Sequence, residues 1–301
     1  MRIGLTGGTG FIGQWLIRLY ASEHEFVVLT SGNHSSEHFA HKNVCYKTGD
    51  YSLDSMKEIF QGCDCLVHLG AGLSTKERET SFLNYQDNIK SSENLFEAAR
   101  NLGIKNVVNL SSRTVYDHGI SGPYGEEMAP VPMNYYAAAK LAVEHIASLY
   151  NRRYNMKIKT LRLAQIFGPG GRGGYMMEIF RQKCEAGEQI TVLDNQGKEL
   201  LYVKDAAKAI LCACLQPEKE GTYNVGSGIF HTNAQIADAF CRVYENKAGY
   251  VCSKDQTDQM VQNYMDVSKA WKELEFQAEY TLENALRDLK AQKQGETGGN
   301  Q

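Results

Sequence analysis

Apolar residues fall along the first half of this chain in two alternating patterns. Short apolar runs occur at Ile3 to Leu5, Phe26 to Leu29, Val44 to Tyr46, Cys65 to Leu69, Asn106 to Leu110 and Lys157 to Leu163, as in strands of a buried sheet. Between them, apolar positions return every third or fourth residue over Phe11 to Tyr20, Ser52 to Phe60, Phe82 to Leu102 and Asn134 to Tyr154. That spacing predicts helices with one face turned to a core. Strands separated by helices of this length predict a parallel sheet wound on both faces, an α/β fold.

Beyond Gly168-Pro169-Gly170-Gly171 the rhythm changes. Short segments at Ile190 to Leu193, Glu199 to Val203 and Thr222 to Val225 mix with helical patterns over Tyr175 to Ala186, Asp205 to Leu215, Asn233 to Glu245 and Leu282 to Lys290. The expected arrangement is a sheet domain over residues 1–168, to which about 199–216 return, with a smaller mixed lobe over 169–292. That lobe is expected on the carboxyl edge of the sheet, where such folds bind ligands. Residues 293–301 read as a disordered tail. Trp15 and Trp271 lie on apolar helical faces and are expected in the core.

The first strand runs directly into Gly7, Gly10 and Gly13, a Gly-x-x-Gly-x-x-Gly turn that opens the first helix. Gly7 permits the tight exit, Gly10 lets the backbone approach a pyrophosphate, and Gly13 lets helix and sheet pack closely. Free amides at the helix start, with Phe11 and Ile12, then face the anion. Strand, glycine turn and amphipathic helix in this order predict a Rossmann-type dinucleotide site rather than a flexible loop.

Composition narrows the function. The 301 residues are 43% hydrophobic, enough for a full core, and 32 basic residues against 35 acidic ones give a net charge of -3. Without a basic block, nucleic acid is not an expected partner. No apolar run reaches about 18 residues, and a glycine-bearing strand at the start leaves no room for a signal peptide, so a cytoplasmic protein without a membrane segment is expected. Eight cysteines lack a Cys-x-x-Cys pair and read as reduced thiols rather than metal ligands. His34, His38 and His41 stand in a polar stretch and read as a solvated loop, so no metal is expected.

Catalytic chemistry is suggested by Tyr136-Ala-Ala-Ala-Lys140. Four residues apart on a helix, phenol and ammonium share a face, and a cation beside a tyrosine is expected to stabilise the phenolate and lower its pKa from about 10. Tyr135 is turned away from Lys140 by its five-residue offset. Ser112 ends a buried strand at the carboxyl edge, within reach of the same pocket.

With these pieces in place the chain resembles an extended short-chain dehydrogenase/reductase of the NAD-dependent epimerase/dehydratase family, and within it the UDP-glucose and UDP-N-acetylglucosamine 4-epimerase-like proteins. The matching pieces run from Thr6-Gly-Gly-Thr-Gly-Phe-Ile-Gly13 through Gly49-Asp50, His68-Leu-Gly-Ala71, Asn88, Ser111-Ser112-Arg-Thr-Val-Tyr116, Tyr136-x-x-x-Lys140, Leu161 to Pro169 and Val203-Lys-Asp205 to Tyr223-Asn-Val-Gly226. The resemblance implies that Tyr136 is the base, that Lys140 anchors the nicotinamide ribose, and that Ser112 bonds the reacting hydroxyl. It implies Asp50 at the adenine amino group and Leu69, Gly70 and Ala71 beneath the cofactor. Thr30, Ser31, Tyr51, Asn88 and Ser111 complete the candidate cofactor set, Asn88 in a structural role and Ser111 reading equally as a turn or cap residue. Thr114, Gln165, Arg172 and Lys198 join Ser112 as candidate substrate contacts.

Three departures matter. The second strand ends in Thr30-Ser31-Gly32-Asn33-His34, with no acid for the adenosine ribose and no arginine for a 2'-phosphate, so NAD is expected with NADP possible. Ser112-Arg113-Thr114 stands where 4,6-dehydratases of the family show Thr-Asp-Glu, and elimination needs that acid. Lys198 falls near an arginine that grips the nucleotide diphosphate, and a lysine loses the bidentate fork. The implied activity is NAD(P)-dependent epimerisation of a nucleotide sugar, a UDP-sugar, at C4 through a transient 4-keto intermediate. Net reduction or oxidation of a keto-sugar or other small carbonyl is the alternative, and a non-catalytic dinucleotide sensor the third reading. The family also implies a homodimer built on the helices over Phe82 to Leu102 and Asn134 to Tyr154.

Overall fold

A computed structural model describes residues 1–32, 39–70, 82–116, 119–171, 174–193, 196–253 and 260–298. Its strands are β1 (Arg2–Thr6), β2 (Glu25–Thr30), β3 (Val44–Thr48), β4 (Cys65–His68), β5 (Asn106–Ser112), β6 (Lys157–Leu163), β7 (Gln165–Phe167), β8 (Ile190–Leu193), β9 (Gly197–Tyr202), β10 (Gly221–Val225), β11 (Phe230–Thr232) and β12 (Tyr250–Ser253). The helices are α1 (Phe11–Tyr20), α2 (Leu53–Phe60), α3 (Gln86–Asn101), α4 (Tyr135–Tyr154), α5 (Met176–Glu185), α6 (Val203–Cys214), α7 (Asn233–Tyr244), α8 (Ser268–Leu274) and α9 (Leu282–Gly298).

Seven strands pair in parallel in the order β10-β6-β5-β4-β1-β2-β3. Strand order reverses between β1 and β4, the switch point at which a doubly wound sheet opens a crevice. Side chains of α1 and α6, among them Trp15, Leu16, Ala206 and Ile210, bury one face of the sheet with Ile3, Leu5 and Val108. Met56, Phe60, Leu95, Phe96, Val143 and Ala147 from α2, α3 and α4 bury the other against Leu66, Val107 and Ile158. A separate core of Phe167, Met177, Phe180, Ile190, Leu200, Ile236, Phe240 and Leu286 holds the small lobe, with β11-β9-β7 and β12-β8 as its sheets. This is the Rossmann-type α/β architecture with a smaller mixed lobe that the patterning predicts.

Helix ends follow local chemistry. The Asn134 side chain accepts from Ala137 N at 2.8 Å at the head of α4, Asn155 closes it in the left-handed region, and Thr232 and Gln235 form a capping box on α7.

Three expectations need correction. The strand that returns to the large sheet is β10, because Tyr223 and Val225 supply an apolar edge for β6, whereas residues 197–202 pair within the small sheet and only α6 returns from the span about 199–216. Trp271 is 58% exposed, since α8 is a short helix that buries Ala270 and Leu274 instead. Helix α9 continues to Gly298, through most of the span read as a tail. Strands β7, β11 and β12 escape the patterning because three or four residues carry too little periodicity. Among the cysteines, Cys63, Cys65, Cys184 and Cys214 are buried, while Cys45 and Cys252 are exposed.

Candidate active site

At the switch point a cavity of about 890 Å³ opens beside the glycine turn. Gly7, at a φ of 70°, turns the chain off β1, and Gly10 N donates to Gly7 O at 3.0 Å. Gly10 offers no side-chain cap, so the amides of Phe11, Ile12 and Gly13 have no intrahelical acceptor and stand at the positive end of α1. A Cβ at Gly13 would lie 2.4 Å from Gly7 O, and one at Gly7 would meet Gly70 N at 2.7 Å. The turn is thus a close-packed cradle with free amides at a helix start, which fits a dinucleotide pyrophosphate.

Asp50, Tyr51, Leu69, Gly70 and Asn88 line this cavity with the cradle residues, as the sequence predicts. Ser52, Lys90, Ser91 and Asn94 line it as well and carry no motif that sequence reading could use. Tyr51 adopts a left-handed φ of 61°, and its carbonyl is held by Asn94 Nδ2 at 3.0 Å. Thr30 and Ser31 do not form part of the wall: Thr30 donates to Gly32 O at 3.2 Å and Ser31 faces solvent.

Behind the wall a directional hydrogen-bond chain can be read from proton supply. Ser92 Oγ donates to Asn88 O at 2.7 Å, so toward His68 Nε2, 2.9 Å away, it can only accept. His68 therefore carries its proton on Nε2, and Thr6 Oγ1 donates to Nδ1 at 2.7 Å while accepting from Gly70 N at 3.2 Å. Burial, with Lys140 adding to it, brings the imidazole down to about 3, so it stays neutral. His68 thereby ties Gly70 on one wall to Asn88 on the other.

The catalytic candidates meet at the carboxyl end of β5. Tyr136 and Lys140 occupy successive turns of α4, Lys140 Nζ lying 5.9 Å from the Tyr136 ring centre. The Ser112 side chain lies close enough to the Tyr136 phenol to ease its ionisation, and Thr114 reaches Ser112 Oγ through its hydroxyl at 3.0 Å and its amide at 3.3 Å. The Tyr85 ring meets Tyr136 edge-on at 6.0 Å.

The electrostatics correct one expectation. Burial pushes the Tyr136 phenol up to about 12, with Ser112 opposing, and Lys140 does not offset it. The lysine donates instead to Leu110 O at 2.8 Å and is itself brought down to about 8 by burial, with Glu144 opposing. A same-face position put the two groups side by side but could not reveal that the ammonium is engaged with a strand carbonyl.

Ser111 points the opposite way from Ser112, donating to Glu144, which also pairs with Arg162 at 2.6 Å. Arg162 Nη1 donates to Tyr116 OH at 2.7 Å, and Tyr116 to Asn224 Oδ1 at 2.8 Å. Ser111 therefore belongs to a buried network that fixes the ends of β5, β6 and β10, not to the cofactor wall, because side chains alternate along a strand. Gln165 begins β7, and Lys198 lies half-buried on β9 of the small sheet. Ala71 and Arg172, like His34 and His38, lie outside the described residues.

The model of the NAD-dependent epimerase/dehydratase family matches residues 3–226. The chain belongs to this family. Its structure is similar to that of UDP-N-acetylglucosamine 4-epimerase from Bacillus cereus, with a TM-score of 0.87 at 30% identity over 98% of this chain and 97% of that one. In sequence it is 27% identical to UDP-glucose 4-epimerase from Mycolicibacterium smegmatis, over 79% of this chain and 81% of that protein. It is 26% identical to dTDP-glucose 4,6-dehydratase from Streptomyces niveus, over 79% and 76%. The protein is thus an NAD-dependent enzyme of the sugar-nucleotide epimerase/dehydratase class. Among the described residues no helix is long and apolar enough to cross a membrane.

Proposed function

We propose that the enzyme interconverts the C4 epimers of a UDP-sugar through a transient 4-keto intermediate. The observation that carries this reading is the clustering of Ser112, Thr114, Tyr136 and Lys140 at the carboxyl end of β5, in a fold that also builds the glycine cradle. Bound NAD supplies the acceptor that takes a hydride from the sugar and returns it. The residues of this chain do the rest. The amides of α1 hold the pyrophosphate, Lys140 anchors the ribose, and Asp50 meets the adenine. In its phenolate form Tyr136 takes the proton of the C4 hydroxyl while Ser112 keeps that oxygen in line, and the phenol so formed gives the proton back after the keto-sugar presents its other face.

Arg113 favours epimerisation over dehydration, since elimination of a hydroxyl needs an acid at that position and this chain places a guanidinium there. Lys198 supports the substrate diphosphate, and Thr114 and Gln165 the sugar. The same reading makes the enzyme a cytoplasmic homodimer through α3 and α4, where Leu149 leaves 54% of its surface exposed.

The test is stoichiometry. NAD-loaded enzyme given UDP-glucose or UDP-N-acetylglucosamine is expected to form the C4 epimer, seen by proton NMR, with no net change in absorbance from reduced cofactor. One reduced cofactor per product would make it a dehydrogenase and overturn the proposal.

A further inference from the structure

Among the described residues the two fully buried arginines are paired. Arg162 meets Glu144, and Arg181 meets Glu178 and Glu185. Arg113 Nη1 is buried without a hydrogen-bond partner, and among the described residues Arg113 makes no ion pair. Leaving such a donor dry and unmatched is costly, so a group that is not part of the chain is its natural partner.

Its surroundings say what that group is. The carboxylate that acts on Arg113 belongs to Glu199, whose oxygens are committed to Gly228 N at 2.7 Å and Met265 N at 3.0 Å. Burial pushes Glu199 up to about 7, and both its oxygens are already engaged by backbone amides. Its neighbour on β9, Lys198, makes no hydrogen bond or ion pair among the described residues and is held down by burial and by the charge of Arg113. The Lys198 ammonium thus lies near enough to Arg113 to feel its charge. Arg113 directly follows Ser112 and opens the short helix Arg113–Val115, which puts it beside the catalytic candidates at the end of β5.

We infer that Arg113 and Lys198 form an oxyanion pocket of the substrate site, in which Arg113 supplies the bidentate fork that a lysine cannot. The inference rests on the proposed nucleotide-sugar reaction. The oxyanion is either a phosphate of the nucleotide diphosphate or a carboxylate carried by the sugar, and in the second case Arg113 selects acidic sugars.

The experiment titrates NAD-loaded enzyme with UDP, UDP-glucose, UDP-glucuronate and inorganic pyrophosphate by calorimetry. In Arg113→Gln the occupant of the pocket is expected to bind about 10- to 100-fold more weakly, the range for a lost charged hydrogen bond. Lys198→Gln should weaken the same ligands. A loss common to the three UDP ligands assigns the phosphate, and a loss confined to UDP-glucuronate assigns the carboxylate. Arg113→Lys keeps the charge without the fork and should fall between; it carries the test if the glutamine variant does not fold. Affinities for all four ligands within twofold of wild type in either folded variant sink the pocket. Arg113-dependent binding of pyrophosphate, with none of the UDP ligands bound by wild type, would keep the pocket and reject the nucleotide-sugar reading.

Discussion

The two sides of the cleft are built by different means. On the cofactor side the determinants are contiguous, Thr6 to Gly13 with the ends of β3 and β4, and the binding groups are mostly backbone amides. On the substrate side Arg113, Lys198 and Gln165 arrive from three distant segments, and their meaning depends on which charges the fold leaves unmatched. Contiguous sites are set by local geometry and tolerate little change; dispersed sites are set by packing and can change ligand through one residue.

Tyr136 sits on the seam, and its removal should produce the largest effect. Tyr136→Phe is expected to retain NAD while losing about 10²- to 10⁴-fold in turnover, the usual range for a positioned proton-transfer group. Wild-type rates in that variant would remove the phenol from the chemistry.

A middle-sized effect belongs to the cradle. In Gly13→Ala the new methyl meets Gly7 O and Gly8 Cα at 2.4 and 2.6 Å, backbone atoms that cannot swing aside. A cost of about 1–3 kcal/mol in unfolding free energy, as for overpacked sites, should accompany weakened NAD binding in calorimetry. Undiminished stability and affinity would erase the contrast between a rigid and a tunable side.

The smallest effect is electrostatic. With the Lys140 amine at about 8 in the folded cofactor-free protein and 10.5 when unfolded, the unfolded chain binds the extra proton between those values. Stability from this group therefore rises as pH climbs from about 8 toward 10.5, and Lys140→Met should flatten that slope in denaturant titrations. An unchanged slope would show that the ammonium is not desolvated.

Much of the cofactor side was legible in sequence, because glycine spacing, strand ends and helix caps are local signals. Gly7, Gly10, Gly13, Asp50 and Gly70 all reach the cavity as read. Thr30 and Ser31 were placed from a strand end alone and are not among the residues that line this cavity, whereas Asn94 from α3 lines it without any sequence signal. Ser111 and Ser112 look alike in sequence, yet strand alternation sends one to Glu144 and turns the other toward Thr114. The His68 chain was invisible, since its partners Thr6 and Ser92 lie 62 and 24 residues away.

By itself, then, the sequence determined the order of strands and helices, the anion-binding turn and the pairing of Tyr136 with Lys140 on one helix face, all properties that depend on neighbours within a turn or a strand. Only the tertiary structure decided how protons and charges are arranged: a phenol raised by burial, an ammonium held by Leu110 O, a neutral His68 and an unmatched Arg113. Dielectric surroundings and counter-charges come from residues far apart in the chain, so no local pattern can encode them.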